Sequence, residues 1–248
     1  MSGKQVSLET LDNDAFYQNY KGETRVGAPA PWDIGGPQPL LIALEDAGQI
    51  TGDVLDIGCG LGGNSIFLAS RGHRVTGIDA APTAIKEATR RAEAEGAKVD
   101  FTVADATSLE GFEGRFDTVI DSALYHCLTA DAQRAYVAAL HRATKPGARL
   151  HLWVFAAEAH APFPTVQRVT EQNLRETVGE KFEITSLELA EYDTTLTHEG
   201  IREMLGEKPA EGAPDAPVAF DPAFSWPEEE LEGEIKAPVW QLTAVRIG

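Results

Sequence analysis

The run Val54-Leu55-Asp56-Ile57, passing without a break into Gly58-Cys59-Gly60-Leu61-Gly62-Gly63-Asn64, constrains this chain more than any other stretch. A short apolar segment ends in an acid and then in four glycines, after which Ile66, Phe67 and Leu68 begin a new apolar pattern. Glycine allows backbone angles and close approaches that a Cβ blocks. The stretch therefore predicts a buried parallel strand that turns sharply into a helix over a ligand.

Two ligand classes use such a turn. Gly58-x-Gly60-x-x-Gly63 satisfies the dinucleotide fingerprint, with Asp79 about 20 residues on as a ribose-binding acid. Asp56, two residues before the first glycine, separates the classes. A pyrophosphate at the helix N-terminus is repelled by a carboxylate at the strand end. S-adenosylmethionine has no phosphate and carries an ammonium and a sulfonium, which a carboxylate attracts. The Asp-x-Gly-x-Gly-x-Gly pattern of residues 56–62 resembles the first motif of the class I S-adenosylmethionine-dependent methyltransferases. The resemblance implies a Rossmann-like α/β fold: a seven-stranded, mostly parallel sheet with helices on both faces and a lid. S-adenosylmethionine is the implied cofactor. An NAD(P)-dependent oxidoreductase is the alternative, and a non-catalytic module that only holds S-adenosylmethionine is a third reading.

The 248 residues suffice for one sizeable α/β domain, and 43% hydrophobic with 24% charged residues is the composition of a packed globule. A net charge of -18 argues against nucleic acid and anionic membrane as partners, because neutralising phosphates takes a concentrated basic surface. Cys59 and Cys127 make no disulfide framework. The N-terminal residues lack an apolar stretch of signal length, and no later run reaches spanning length, which predicts a cytoplasmic protein.

Along the chain, residues 1–30 are polar with Phe16, Tyr17 and Tyr20 on what reads as a short amphipathic helix, either packed on the surface or forming a lid. Residues 31–248 read as the methyltransferase domain. Pro31-Trp32-Asp33-Ile34-Gly35-Gly36-Pro37 is a rigid turn opening a helix at Leu40. Strands ending in acids are expected at 73–79 and 98–105, and a further one at 115–121, followed by an active-site loop. Asp79 can grip two adjacent ribose hydroxyls. A helix is predicted from Pro82 to Gly96 and another from Ala130 to Arg142, with later strands at 149–155, 183–189 and 239–245. Residues 196–238 read as a loop insertion before the last strand, acidic and proline-rich but carrying Phe220, Phe224 and Trp226.

In the family, the residue matching Asp105 accepts from the adenine amine and the next amide, that of Ala106, meets a ring nitrogen. Asp121 would lie beside the methionine part of the cofactor. Gly58, Gly60, Gly62, Asp79 and Ala80 complete the implied cofactor set, with Trp32 and Tyr20 from the turn and the lid. The Pro-Trp-Asp-x-Gly arrangement is similar to that of thiopurine- and quinone- or quinolone-modifying methyltransferases, where the tryptophan loop lies near cofactor and acceptor; a plain anchoring role for Trp32 is the alternative. The overall likeness is to the mycobacterial group that methylates hydroxyquinolones and benzoquinones. It implies O-methylation of a small aromatic or heterocyclic acceptor.

Ser122-Ala123-Leu124 departs from the Asp/Asn-Pro-Pro-aromatic motif of enzymes that methylate the amino groups of nucleic-acid bases. A hydroxyl acceptor must lose its proton, and His126, just past that strand, is the first candidate base, with Tyr125, His151 and His160 in reserve; a structural role is the alternative for His126, and an already acidic acceptor needs no base. Tyr17, Trp32, Tyr125, His160, Phe163 and Trp226 are the candidate acceptor walls. No metal set can be assembled around Asp121.

Overall fold

The computed structural model describes residues 31–159, 168–197 and 233–248. Its centre is a seven-stranded sheet of order β3-β2-β1-β4-β5-β7-β6. The strands are β1 (Asp53–Ile57), β2 (Arg74–Asp79), β3 (Val99–Val103), β4 (Phe116–Ser122), β5 (Thr144–Phe155), β6 (Phe182–Thr197) and β7 (Glu234–Arg246). The first five are parallel neighbours, while β7 runs antiparallel to both β5 and β6. The seven-stranded, mostly parallel Rossmann-like sheet expected from the motifs is therefore present.

β1 is a continuous apolar run because both of its faces are covered. Leu55 and Ile57 enter one core with Tyr136, Val137 and Leu140 of helix α4 (Ala130–Ala143) and Leu174 of α5 (Glu171–Thr177). Val54 enters the other core with Leu41 of α1 (Pro39–Asp46) and Leu68 of α2 (Gly63–Ser70). Helix α3 (Pro82–Glu95) starts with proline at its first turn, buries Ala84, Ile85, Ala88 and Ala92, and ends on Gly96 at φ +68°.

Three boundaries differ from the sequence reading. β5 begins at Thr144, not Arg149: the Lys-Pro-Gly segment stays in the ladder through a bulge between Phe116 and Thr118. Lys145 bridges Asp53 at 3.2 Å and Asp117 at 2.6 Å there. The hairpin strands are also longer than expected, since β6 runs to Thr197 and β7 starts at Glu234. Polar residues hid these ends, and β6 in particular, because an edge strand solvated on one side carries little apolar signal. Of the predicted insertion at 196–238, both ends are thus strand; residues 198–232, with Trp226, lie outside the described residues, as do the predicted lid with Tyr17 and Tyr20, and also His160 and Phe163. No helix among the described residues is long and apolar enough to cross a membrane.

Candidate active site

The glycine turn is built by backbone geometry. Gly58 (φ +72°), Gly60 (+53°) and Gly62 (+84°) all occupy the left-handed region, and the amides of Gly58 and Cys59 both donate to the Ile78 carbonyl, at 2.8 and 2.9 Å. A Cβ at Gly58 would stand 2.9 Å from the Leu124 side chain, and one at Gly62 2.8 Å from the Phe101 ring. Side chains are therefore excluded from Gly58 and Gly62, so the backbone of the turn can be approached closely at the N-terminus of α2, while the amides of Gly60 and Gly62 donate to Asp79 and to the Cys59 carbonyl.

The four acids occupy neighbouring strand ends but do different work. Asp79 is half-buried; its Oδ2 accepts from the Gly60 amide at 3.0 Å and its Oδ1 from Ala81 at 2.8 Å. Each carboxylate oxygen keeps a further lone pair for a ligand hydroxyl. Burial raises its pKa against the pull of these amides. Asp105 is exposed and bends its own loop, Oδ1 accepting from the Thr107 amide and hydroxyl. Beside them, Ala80 is exposed and Ala106 is half-buried against the α4 core.

Asp56 and Asp121 correct the sequence reading. Asp56 is 1% exposed and accepts from the Ser65 hydroxyl of α2 at 2.5 Å, so its carboxylate faces the helix and does not line the cleft. Asp121 is fully buried: Oδ1 accepts from the amides of Leu124 (2.8 Å) and Tyr125 (3.3 Å), and Oδ2 from the Tyr136 hydroxyl (2.6 Å). It pins the loop after β4, including Ala123 at φ +75°, a strained angle for a residue with a Cβ. Any cofactor contact there falls to the loop and not to this carboxylate. The alternation of β4 sends Asp121 toward α4, a direction that a strand-end motif does not specify.

Electrostatically these acids still act together. Burial pushes Asp56 up to about 6, and the charge of Asp79 adds to it; burial pushes Asp121 up to about 7 despite three donors, with Asp56 adding. Among the described residues, the charges that act on this pair are those of other acids, with no cation in compensation. A cationic ligand relieves that excess, and a pyrophosphate compounds it.

Tyr125 and His126 lie on a single 3-10 turn, Tyr125–Cys127. Tyr125 is fully buried edge-on to Tyr136, with its hydroxyl on Asn173 at 3.1 Å, and burial raises it to about 12. It is core, which corrects its assignment as reserve base and acceptor wall. His126 is 3% exposed, stacked on Phe155 with ring centroids 4.3 Å apart, and driven down to about 4 by burial. Its Nδ1 accepts from the Phe155 amide at 3.4 Å, which puts the proton of the neutral ring on Nε2. The imidazole is therefore set as a hydrogen-bond donor and is a poor general base.

Trp32 is half-buried against the α1–α2 core, and its loop docks on the glycine turn: a Cβ on Gly63 would stand 2.8 Å from the Gly36 carbonyl oxygen. Arg91 of α3 holds Asp33 through two bonds of 2.9 and 3.0 Å. Two residues that sequence reasoning missed complete the region. Tyr192 of β6, 3% exposed, shares a 2.8 Å hydrogen bond with Ser122 at the tip of β4. Gln38, 2% exposed, meets β6 at Asp193. No sequence signal marks them, because 70 and 155 residues separate the partners. Among the described residues no cluster of three or more His, Cys, Asp or Glu is placed to hold a metal ion.

Comparison with known proteins agrees with this geometry. Residues 54–147 match a family described as a methyltransferase domain. The 2-heptyl-1-hydroxyquinolin-4(1H)-one methyltransferase of Mycobacteroides abscessus is 41% identical over 170 residues, 67% of this chain and 75% of that protein. A solved structure concerned with conversion of a disulfide bond into a thioacetal group during echinomycin biosynthesis is 35% identical, covers 94% of this chain and 92% of its own, and superposes with a TM-score of 0.72. The 1,6-didemethyltoxoflavin-N1-methyltransferase of Burkholderia thailandensis, solved with S-adenosylhomocysteine bound, shares the fold at a TM-score of 0.61 and 19% identity, covering 100% of this chain and 94% of its own.

Proposed function

This chain belongs to the class I S-adenosylmethionine-dependent methyltransferases, and we propose that it methylates an acidic hydroxyl on a small aromatic or heterocyclic acceptor, such as a hydroxyquinolone or hydroxyquinone. The observation that carries this reading is the state of His126. A ring driven down to about 4, with Nδ1 already accepting, is a weak proton acceptor at neutral pH. His126 so placed favours an acceptor that ionises largely by itself, as an N-hydroxy heterocycle or a hydroxyquinone does and an alcohol does not. The Mycobacteroides relative, whose name specifies a hydroxyquinolone, supports the same class.

When bound, S-adenosylmethionine supplies a methyl group on a positively charged sulfur. The chain's own residues hold, align and exclude water. The turn at Gly58, Gly60 and Gly62, whose own amides donate to Ile78, Asp79 and Cys59, would admit the cofactor by close backbone approach, and the carboxylate of Asp79 and the Asp105-Ala106 corner would hold it, with Ala80 beside them. Asp56 and Asp121 act from behind, as buried negative charge that favours a cation in the cleft. The Nε2–H of His126 donates to the acceptor oxygen and orients it, and alignment of this kind accounts for most of the acceleration. Residues 1–30 serve as the lid, Tyr17, His160, Phe163 and Trp226 as acceptor walls, and Tyr20 and Trp32 at the cofactor side.

The test is mass spectrometry of products after incubation with S-adenosylmethionine and a panel containing 2-heptyl-1-hydroxyquinolin-4(1H)-one, a hydroxybenzoquinone, an unactivated phenol, an amine and a thiol. Methylation at oxygen, fastest on the most acidic hydroxyl, is the expected result. Methylation at nitrogen or sulfur overturns the hydroxyl assignment. S-adenosylhomocysteine binding with no product from any acceptor points to the non-catalytic reading.

A further inference from the structure

Gln38 stands between two parts of the molecule that are remote in sequence. It precedes the first turn of α1 in an extended conformation, so its side chain is free to reach sideways, but it makes no capping bond to its own helix. Its backbone amide donates instead to the Asn64 side chain at 3.0 Å, in the first turn of α2 just past the glycine turn. Its carboxamide forms two bonds to a single residue of β6: Nε2 donates to the Asp193 carbonyl at 3.1 Å, and Oε1 accepts from the Asp193 amide at 3.2 Å. An amide side chain paired in this way reproduces one rung of a β-ladder on the outer edge of the sheet. Two residues on, the Thr195 amide donates to the Pro31 carbonyl at 2.8 Å.

The residue next to this rung is Tyr192, whose hydroxyl meets Ser122 at the tip of β4. The tip of β6 is thus held on one side by the 31–38 segment and on the other by the strand end that opens the active-site loop. The buried polar groups along this line are mutually paired, an arrangement that costs most when one member is removed. Gln38 is the member that joins the line to the cofactor turn.

We infer that Gln38 is a positioning residue that ties the glycine turn to the tip of β6 and so fixes the wall carrying Tyr192 against the end of β4. The inference rests on the methyltransferase reading for the meaning of that wall, although the tie itself is a matter of binding and does not need an acceptor. Filling the cofactor cleft steadies the glycine turn. Through Asn64 and Gln38 the same event steadies residues 190–196.

Amide hydrogen exchange on the full chain, with and without saturating S-adenosylhomocysteine, tests this. In the unsubstituted protein the ligand should slow exchange about tenfold or more both at 58–64 and at 190–196. In Gln38→Met, which keeps length and volume but loses both bonds to Asp193, affinity for S-adenosylhomocysteine should change less than about threefold and protection at 58–64 should persist. The ligand response at 190–196 should disappear. Asn64→Ala cuts the line at its other end with the carboxamide intact, and should give the same uncoupling should Gln38→Met fail to fold. A response at 190–196 that survives in either folded variant, or that is missing from the unsubstituted protein, overturns the inference. Failure of the acceptor panel leaves this measurement unaffected. Where the hydroxyquinolone is turned over, Gln38→Met should raise its KM more than it lowers kcat.

Discussion

The two halves of the cleft rim are built by opposite means. On the β1–β2 side, position is set within short stretches of chain: a strand, a glycine turn, and an acid whose oxygens take the amides of Gly60 and Ala81. On the β6 side, position is set by bonds that cross the whole chain, such as Tyr192 to Ser122 and Gln38 to Asp193. Motifs describe the first kind of construction, because its hydrogen-bonded residues fall within one strand-helix-strand unit, 19 positions apart for Gly60 and Asp79. The second kind leaves single polar residues in unremarkable surroundings. The cofactor half should therefore tolerate little local change, while the hairpin half should lose its register without losing the cofactor.

The largest effect should come from Asp121, which lies between the halves. Asp121→Leu leaves two amides and a tyrosine hydroxyl buried without an acceptor, and should cost about 3 to 5 kcal/mol in urea unfolding. Asp121→Asn retains an acceptor and should cost about 1 kcal/mol. The same variant isolates a pH effect. The folded carboxyl stands at about 7 against an ordinary 3.8, so the fold takes up a proton that the unfolded chain does not, and this group adds stability as the pH falls from about 7 toward 4. His126, driven down to about 4, has the opposite sign and loses stability as the pH falls through the range from 6.5 to that value. Unfolding midpoints at several pH values for the parent and Asp121→Asn should therefore differ by a slope in the direction of acid stabilisation. Parallel curves would remove Asp121 from that role.

Next, a paired substitution contrasts the halves directly. Gly58→Ala places a Cβ 2.9 Å from Leu124 at φ +72°, and should weaken S-adenosylhomocysteine binding by about 2 kcal/mol in calorimetry. Tyr192→Phe removes one hydroxyl from the opposite wall; it should leave that affinity within about twofold and reduce stability by about 1 kcal/mol. Equal losses of affinity would mean that the cleft is one unit and the contrast is false.

The smallest effect concerns Asp56, which acts on the ligand through space. Its carboxyl ionises at about 6, and a sulfonium senses that charge where the neutral thioether of S-adenosylhomocysteine does not. The preference for S-adenosylmethionine over S-adenosylhomocysteine should grow by about 1 kcal/mol between pH 5 and pH 8. Asp56→Asn should flatten most of that rise, and an unchanged rise would assign it to another group.

By itself the sequence determined the strand-turn-helix at residues 54–70, the strand-end acids and the order of elements, because apolar periodicity and glycine punctuation are local consequences of backbone sterics and burial. The contact of the Pro-Trp-Asp loop with the glycine turn, through Gly36 and Gly63, came from the tertiary structure. Only the tertiary structure decided which way each acid points. Asp79 keeps lone pairs for a ligand, whereas Asp56 and Asp121 turn toward Ser65 and Tyr136. It decided as well that Tyr125 is core, that His126 accepts at Nδ1, and that the polar end of β6 continues the sheet as far as Thr197. The reason is common to all of these. A side chain's direction, burial and protonation depend on partners brought in from distant parts of the chain, and no pattern within one segment encodes those partners.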